Sequence, residues 1–321
     1  MISGLTRSIQ IDAPAKLNLF LELHGRRNDG YHDLETVMIA IDRFDHLTVS
    51  LSESDTVETD CCWRPHDRLI AARYGSPDSS VVSLPNSHDN LVTRALQCFR
   101  ETFHIDFGFR VELRKTIPAG AGMGGASSDA AAALQGAAHL CGVDPHHPDL
   151  LHLAGLLGSD IPFFFGSKNH RASAALGSGR GEQITSIDVG QRIPFVVVHP
   201  PVGISTKQVY QTCSIPTRAT ASEPIIAAMA KGNLTQVSGH LVNRLTEPAR
   251  AASDWVDRVL SAISRTPVLG YQMTGSGSAC FGICRTQKMA STIAHRLQAA
   301  GIGIAFAARS ICIRSTVLGQ T

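Results

Sequence analysis

A glycine-rich segment at residues 118–129 has the residue types that bind phosphate groups. It reads Pro-Ala-Gly-Ala-Gly-Met-Gly-Gly-Ala-Ser-Ser-Asp. Glycines let backbone N–H groups approach an anion closely, and a helix that follows them presents its positive N-terminal end. Ser127 and Ser128 would add hydroxyl donors in the first turn of that helix. The segment therefore predicts a phosphate cradle, although a glycine-rich turn before a capped helix would use the same residue types.

Two well-known phosphate motifs fit this segment poorly. Gly120, Gly122 and Gly125 satisfy Gly-x-Gly-x-x-Gly, but the dinucleotide fingerprint needs a buried parallel strand before it. Residues 109–117, which come first here, alternate between apolar and polar side chains instead. A P-loop spacing also begins at Gly120, yet Ala126 stands where the phosphate-binding lysine would be. Neither motif is favoured, and the general phosphate-binding interpretation remains.

Two charged residues lie in apolar segments far apart in the sequence. Lys16 lies in the run Pro-Ala-Lys-Leu-Asn-Leu-Phe, and Asp160 lies in Gly-Ser-Asp-Ile-Pro-Phe, just before three phenylalanines. Both apolar settings would partly desolvate the charge, and an unpaired charge in such a setting is costly. Pairing with an opposite charge would offset that cost, so a plain ion pair is one interpretation of these residues.

The elements that must position these residues indicate an α+β protein. Alternation predicts strands with one solvated face, typical of an antiparallel or mixed sheet with helices on one side. Residues 52–83 are polar and irregular and are interpreted as a surface excursion. The strands are predicted at 7–11, 17–23, 46–51 and 109–117, the helices at 127–140 and 148–157, and a short apolar strand at 163–165.

A second α/β unit follows a predicted boundary near residue 190, which gives domains at residues 1–190 and 191–321. It opens with a buried strand from residue 193. Helices are then predicted near 224–230, 234–241, 254–264 and 288–299, and strands at 270–273, 279–284 and 305–313.

Composition excludes several classes of function. The 321 residues are 43% hydrophobic and 17% charged, with a formal net charge of +2, and no Lys/Arg run marks a nucleic-acid or membrane partner. Neither a secretory signal nor an apolar stretch of membrane length is found, so a cytoplasmic location is expected. The eight cysteines form no Cys-x-x-Cys pair, and His146, His147 and His152 lie in a turn without zinc-type spacing.

Three separated segments together resemble the kinases of the galactose, homoserine, mevalonate and phosphomevalonate superfamily. They are residues 14–20, the glycine-rich segment and residues 274–279, which read Thr-Gly-Ser-Gly-Ser-Ala. The resemblance implies a first domain like domain 2 of ribosomal protein S5 and a ferredoxin-like second domain. It also implies an enzyme that uses ATP and Mg²⁺ to phosphorylate a small molecule, as a monomer or homodimer.

Residues 25–32, Gly-Arg-Arg-Asn-Asp-Gly-Tyr-His, narrow this resemblance to one branch of the superfamily. In that branch the acceptor is a methylerythritol linked to cytidine diphosphate, and its 2-hydroxyl receives the γ-phosphoryl group on the non-mevalonate route to isoprenoids. Two alternatives stay open at this point: a kinase of the same superfamily with a mevalonate, homoserine or sugar acceptor, and a non-catalytic nucleotide-binding protein.

The resemblance also implies a role for individual residues. Lys16 and Asp160 match the catalytic pair, and the magnesium ligands are not assigned, although Ser127 or Ser128 could reach the ion. The implied acceptor contacts are Asn18, Tyr31, His32, Thr206 and Tyr210. The implied ATP contacts are Asn90, Pro118, Ala119, Gly120, Ala121, Gly122, Met123, Gly124, Gly125, Ala126, Ser127 and Ser128.

Overall fold

A computed structural model describes residues 7–64, 84, 87–166, 174–311 and 317–320. The strands are β1 (Ser8–Arg26), β2 (His32–Ser52), β3 (Val57–Trp63), β4 (Gly108–Lys115), β5 (Ala174–Ser178), β6 (Gln183–Ile187), β7 (Pro194–His199), β8 (Val242–Asn243), β9 (Gly270–Met273), β10 (Cys280–Ile283), β11 (Ile304–Arg309) and β12 (Val317–Gln320). The α-helices are α1 (Leu91–Phe103), α2 (Gly125–Cys141), α3 (Pro148–Leu157), α4 (Ile161–Phe165), α5 (Thr206–Thr212), α6 (Glu223–Ala230), α7 (Leu234–Gly239), α8 (Thr246–Ala252), α9 (Asp254–Ser264) and α10 (Gln287–Ala299).

The first sheet is mixed, as the alternating sequence predicted. Its main path runs β12-β1-β2-β4-β3, β5 and β6 extend it from β2, and β8 pairs with β1. The pairs β1–β2 and β2–β4 are antiparallel, whereas β3 runs parallel to β4. The two long strands β1 and β2 carry several of the candidate site residues, so their register decides which of these residues meet.

Alanine-rich α2 packs very close to the first sheet. Its buried face is built mainly from alanines, and Gly136 lies where an added Cβ would be 2.7 Å from Ile11 Cδ1. Small side chains permit this short distance between helix and sheet. Because α2 begins at Gly125, within the glycine-rich segment, its tight packing fixes the position of that segment.

The second sheet has the ferredoxin-like arrangement that the resemblance implied. Its strand order is β11-β7-β10-β9, and all neighbours are antiparallel. Along the chain, β7, α9, β9, β10, α10 and β11 form the β-α-β-β-α-β pattern, with α5 to α8 inserted after the first strand. Buried Val256, Val259, Leu260 and Ile263 form the apolar stripe of α9, with helical spacing.

The predicted boundary near residue 190 stays a prediction, and strands beyond it take part in the first sheet. Both β8 and β12 pair with β1. An apolar cluster also joins the two halves: Leu17 and Val37 of the first sheet belong to it, together with Phe195 and Phe281 of the second. The two sheets are therefore held together by a shared core as well as by backbone pairing.

One predicted element has the wrong type. Residues 163–165 form the end of helix α4 and not a strand. A short apolar run cannot be assigned to helix or strand by periodicity alone, and Pro162 is well placed in the first turn of a helix. The three phenylalanines are buried in the same core as α2.

The surface excursion predicted at residues 52–83 is wrong for its first part. Val57–Trp63 is strand β3, which carries buried Thr59 and pairs with β4. Residues 65–83 lie outside the described residues. Helix α1 was not predicted, although Val92, Ala95, Leu96 and Phe99 follow the spacing of one buried helix face.

No helix in the described ranges combines the length and the apolar character needed to cross a membrane. The longest of them, α2, has 17 residues. A span through the hydrocarbon core needs about 20 apolar residues.

Candidate active site

The glycine-rich segment adopts a backbone conformation that suits phosphate binding. Gly120, Gly122 and Gly124 have φ values of 63°, 74° and 69°. Left-handed residues alternating with others turn backbone N–H groups toward one side, which makes a concave anion site. Helix α2 begins at Gly125, so Ala126 is already helical and its exposed Cβ causes no strain.

Hydrogen bonds from both halves of the molecule hold this phosphate loop (residues 118–128) in place. The backbone N–H of Lys16 donates to the Met123 carbonyl at 3.0 Å, and that of Ala279 donates to the Ala121 carbonyl at 3.2 Å. A Cβ at Gly122 would lie 2.3 Å from the Thr274 carbonyl oxygen. Glycine is therefore required at residue 122, where the loop at 274–279 packs directly against the phosphate loop.

The phosphate loop lies between two cavities. The larger, of about 640 Å³, is lined by Lys16, Asp160 and residues of both halves. The smaller, of about 230 Å³, is lined by the loop and by the starts of α1 and α2. Gly122, Gly124 and Ser127 line both cavities. A group bound in one cavity can thus meet a group bound in the other only across this short stretch of backbone.

The smaller cavity contains nearly all of the residues predicted to contact ATP. Asn90 and residues 118–127 line it, but Ser128 does not. Ser128 is 1% exposed, and its Oγ has no hydrogen-bond partner within the described part of the chain. The Asn90 side chain accepts a hydrogen bond from Val92 N at 3.0 Å, so it also caps α1.

A buried charge cluster lies at one side of the smaller cavity. Lys115 Nζ donates to Asp45 Oδ2 and, at 2.5 Å, to Asp129 Oδ2. Asp45 Oδ1 also accepts the backbone N–H groups of Thr116 and Ile117. Burial raises the pKa of Asp129 to about 8, with Asp45 adding to the rise and Lys115 opposing it. The sequence analysis did not single out this cluster, because its members come from three elements.

The larger cavity contains the predicted catalytic pair. Lys16 Nζ lies 3.2 Å from Asp160 Oδ2; the lysine side chain is 4% exposed and the aspartate side chain 33%. Lys16 lies within β1, whereas Asp160 directly precedes α4 and makes no capping hydrogen bond with its side chain. The carboxylate is therefore free to receive a hydroxyl proton from a bound molecule while the buried ammonium fixes its position.

A chain of buried polar groups orients Lys16. Its Nζ donates to Asn18 Oδ1 at 2.6 Å, and Asn18 Nδ2 donates to Thr36 Oγ1 at 2.7 Å. Thr274, from the second half of the chain, accepts the Asn18 backbone N–H at 3.0 Å. Asn18 was predicted as an acceptor contact, but Thr36 and Thr274 were missed. The alternation of side chains along the paired strands β1 and β2 could have indicated Thr36. Thr274 could not be found in this way, because it is 256 residues from Asn18.

The predicted aromatic contacts lie in the same cavity. The rings of His32 and Tyr210 are 5.6 Å apart, and the guanidinium of Arg180 lies 5.1 Å from the centre of the Tyr31 ring. Burial, with the charge of Arg26, lowers the pKa of His32. Burial also raises the pKa of Tyr210, and the nearby Asp160 adds to that rise. Both side chains are thus uncharged at neutral pH and suit an uncharged heterocycle.

Thr206, the last predicted acceptor contact, also lines the larger cavity. It is the first residue of α5, and its Oγ1 lies 2.7 Å from Ser276 Oγ in the loop at 274–279. The two hydroxyls bring the helix and the loop together at the cavity wall.

Comparisons with known proteins agree with this arrangement. The family model described as GHMP kinases N terminal domain matches residues 90–168, and the model described as GHMP kinases C terminal matches residues 225–303. Together with the phosphate loop and the lysine–aspartate pair, these matches define a small-molecule kinase of the GHMP class.

Relatives narrow the class further. The 4-diphosphocytidyl-2-C-methyl-D-erythritol kinase of Rhodopirellula baltica is 39% identical over 295 residues, which is 89% of each chain. The kinase of the same name from Mycolicibacterium gilvum is 31% identical over 306 residues, covering 92% of this chain and 88% of its own. The chain belongs to the 4-diphosphocytidyl-2-C-methyl-D-erythritol kinase family, as the sequence resemblance predicted.

Solved structures support the same family. A crystal structure of 4-(cytidine 5'-diphospho)-2C-methyl-D-erythritol kinase matches with a TM-score of 0.73 and 30% identity, covering 94% of this chain and 99% of the other. A homoserine kinase from Cytophaga hutchinsonii matches with a TM-score of 0.69 and 18% identity over 97% of each chain. The second likeness shows the fold alone.

Proposed function

We propose that this protein transfers the γ-phosphoryl group of ATP to the 2-hydroxyl of 4-diphosphocytidyl-2-C-methyl-D-erythritol. The products are the 2-phosphate and ADP, on the non-mevalonate route to isoprenoid precursors, and the proposed location is the cytoplasm. The observation that carries the proposal is the position of Asp160 and Lys16. They lie in the same cavity as Tyr31, His32 and Tyr210, and the phosphate loop borders that cavity.

Asp160 would act as the acceptor of the hydroxyl proton. The 2-hydroxyl is tertiary and weakly acidic, so its proton leaves late and a positioned carboxylate is useful. Asp160 meets this need because a third of its side chain is exposed to the cavity while the other side contacts Lys16. The hydroxyl oxygen forms a bond to the γ-phosphorus as the bond between that phosphorus and the β–γ bridging oxygen breaks and ADP leaves. The proton of the hydroxyl passes to the carboxylate.

Lys16 would stabilise the negative charge that develops at the reacting oxygens. Its ammonium is held by Asn18 and Asp160, so little reorganisation is needed when charge moves toward it. The phosphate loop contributes backbone N–H groups and the positive end of α2 to the triphosphate.

Magnesium fits the donors at the phosphate loop. Kinases hold this ion through few protein oxygens and complete its shell with phosphate and water. No group of three or more His, Cys, Asp or Glu side chains in the described ranges is arranged for a metal. Ser127, which lines both cavities, would hold the ion instead, whereas buried Ser128 lines neither of them. Bound by Ser127, the ion would offset the charge of the β- and γ-phosphates.

The larger cavity, which we call the acceptor cavity, suits the cytidine part of the substrate. Tyr31 is 54% exposed and offers a ring on which a base can stack, and Tyr210 offers a second. Uncharged His32 can both donate and accept a hydrogen bond at the edge of cytosine. Asn18 and Thr206 would contact the methylerythritol part or its diphosphate.

A coupled assay of ADP release tests the proposal. The protein is supplied with ATP, Mg²⁺ and, in separate reactions, 4-diphosphocytidyl-2-C-methyl-D-erythritol, mevalonate or homoserine. Turnover is expected with the cytidine diphosphate acceptor alone. Turnover on mevalonate or homoserine but not on that acceptor would assign the protein to another GHMP activity. No ADP release with any acceptor would indicate a non-catalytic nucleotide-binding protein.

A further inference from the structure

The acceptor cavity is lined by more cationic side chains than the proposed catalytic step requires. Its lining includes four cations, Lys16, Arg26, Arg180 and Lys207, but one carboxylate, Asp160. Lys16 pairs with that carboxylate. Arg180 Nε lies 3.7 Å from Glu182 Oε1, and its guanidinium contacts the Tyr31 ring. The other two cations of the lining are Arg26 and Lys207.

Arg26 and Lys207 have no partner among the described residues that would explain their place in the cavity. Both side chains are exposed, and neither forms an ion pair or a side-chain hydrogen bond with any residue that the structure describes. Long cationic side chains on a surface commonly stay solvated without a function. These two differ because they line the same cavity, where like charges on the walls attract a multiply charged anion.

Their places in the fold put them between the two ends of the acceptor. Arg26 pairs with His32 across β1 and β2, at the part of the cavity proposed for cytosine. Lys207 follows Thr206 in the first turn of α5, and Thr206 contacts Ser276 of the loop packed on the phosphate loop. In the proposed substrate, the diphosphate is the group that joins the cytidine to the part that is phosphorylated.

We propose that Arg26 and Lys207 bind the diphosphate of the acceptor and thereby select an acceptor that carries this dianionic link. The inference rests on the proposed function and extends it to two residues to which the sequence resemblance gave no role. Each contact would be a charge-assisted hydrogen bond, which is stronger than one between neutral groups. Selection would act on acceptor binding, because neither cation is in contact with the catalytic pair.

The test measures equilibrium binding of cytidine diphosphate and of cytidine by calorimetry, so that no turnover is needed. The wild-type protein is compared with the double variant Arg26→Gln/Lys207→Gln. The control is Lys231→Gln, which removes an exposed positive charge at the end of α6, outside the acceptor cavity. Circular dichroism of each protein verifies that the fold is kept.

We expect the affinity of the double variant for cytidine diphosphate to fall by about tenfold for each charge removed. Its affinity for cytidine should be unchanged, and the control should bind both compounds like wild type. Added salt should weaken the binding of cytidine diphosphate to wild type more than to the double variant.

The other outcomes separate the two proposals. Equal affinity of wild type and double variant for cytidine diphosphate overturns the role of Arg26 and Lys207 but leaves the proposed function intact. An equal loss for cytidine and cytidine diphosphate assigns the two residues to the nucleoside and also overturns the diphosphate role. Failure of wild type to bind either compound overturns the proposed acceptor and, with it, this inference.

Discussion

Two lysine–aspartate contacts flank the phosphate loop, and they differ in what they leave open. On the nucleotide side, Lys115 lies between Asp45 and Asp129, whose side chains are 0% and 3% exposed. On the acceptor side, Lys16 is just as buried, but its partner Asp160 is 33% exposed. The first contact is almost fully buried at the wall of the smaller cavity, whereas the second presents a carboxylate to the larger one.

The difference in exposure is what distinguishes a structural role from the catalytic role that we propose for Lys16 and Asp160. A buried ion pair with every oxygen enclosed can stabilise the fold but cannot exchange a proton with a ligand. In an ion pair with one partly exposed side chain, the buried side chain fixes the geometry. The exposed side chain can still react with a bound molecule. Substitutions in the two pairs should therefore damage different properties, namely unfolding free energy on one side and turnover on the other.

The largest expected effect is the loss of catalysis in the variant Asp160→Asn. We expect kcat to fall by about 10³–10⁴-fold, because the amide cannot accept the hydroxyl proton. The KM for ATP and the unfolding free energy should be close to wild type, since the amide keeps the shape of the side chain. Steady-state kinetics measures kcat and the KM for ATP, and urea unfolding measures the unfolding free energy. Normal turnover would remove Asp160 from the proposed mechanism.

The next effect should be the loss of stability in Lys115→Met. This change leaves two enclosed carboxylates without their cation, and we expect about 3–5 kcal/mol less unfolding free energy. Lys16→Met is the matched control: it should cost less stability, because Asp160 can be hydrated from the cavity, but more activity. Urea unfolding of both variants makes the comparison. Equal destabilisation would mean that the two pairs have the same role.

A smaller effect should appear in the pH dependence of stability. The pKa of Asp129 is raised to about 8 in the folded protein, chiefly by burial, so folding favours the protonated form. Its contribution to stability is present below the unfolded pKa of about 4 and is lost as pH rises toward 8. Wild type should therefore lose stability relative to Asp129→Asn as the pH rises from 5 to 8.

Unfolding in urea at both pH values measures that difference. A constant difference between wild type and Asp129→Asn across this range would show that Asp129 is ionised throughout, with Lys115 offsetting the effect of burial.

The smallest effect concerns the loop between the two pairs. Ala126 is exposed in the first turn of α2, so Ala126→Gly should lower the unfolding free energy by about 0.5–1 kcal/mol through backbone entropy. The KM for ATP should not improve, because the Cβ does not obstruct the loop. A clearly lower KM in the glycine variant would show that the alanine does interfere with phosphate binding.

The sequence was most informative where chemistry is local. Three adjacent features of the phosphate loop, its glycines, its serines and the helix after them, could be read together, and the loop lines the smaller cavity as a unit. Lys16 and Asp160 could be proposed because the family resemblance joined two distant segments. Their separation of 3.2 Å depends on the packing of β1 and α4 and could not be obtained from either segment.

The sequence was least informative where long-range contacts decide. Thr274 bonds to Asn18 across the two halves of the chain, and no periodicity relates residues so far apart. Lys115, Asp45 and Asp129 looked like ordinary polar positions until three elements brought them together. Residues 163–165 form a helix because Pro162 and the packing on α2 outweigh an apolar run that also suits a strand.

The narrow border between the two cavities also limits what a synthetic ligand could do. Gly122, Gly124 and Ser127 are the residues common to both cavities. An inhibitor that joins an adenine mimic to a cytosine mimic would have to pass its linker over this stretch of backbone. The linker should be slim and should accept hydrogen bonds from N–H groups. A bulky linker would leave one half of such a compound outside its cavity, however well each half binds alone.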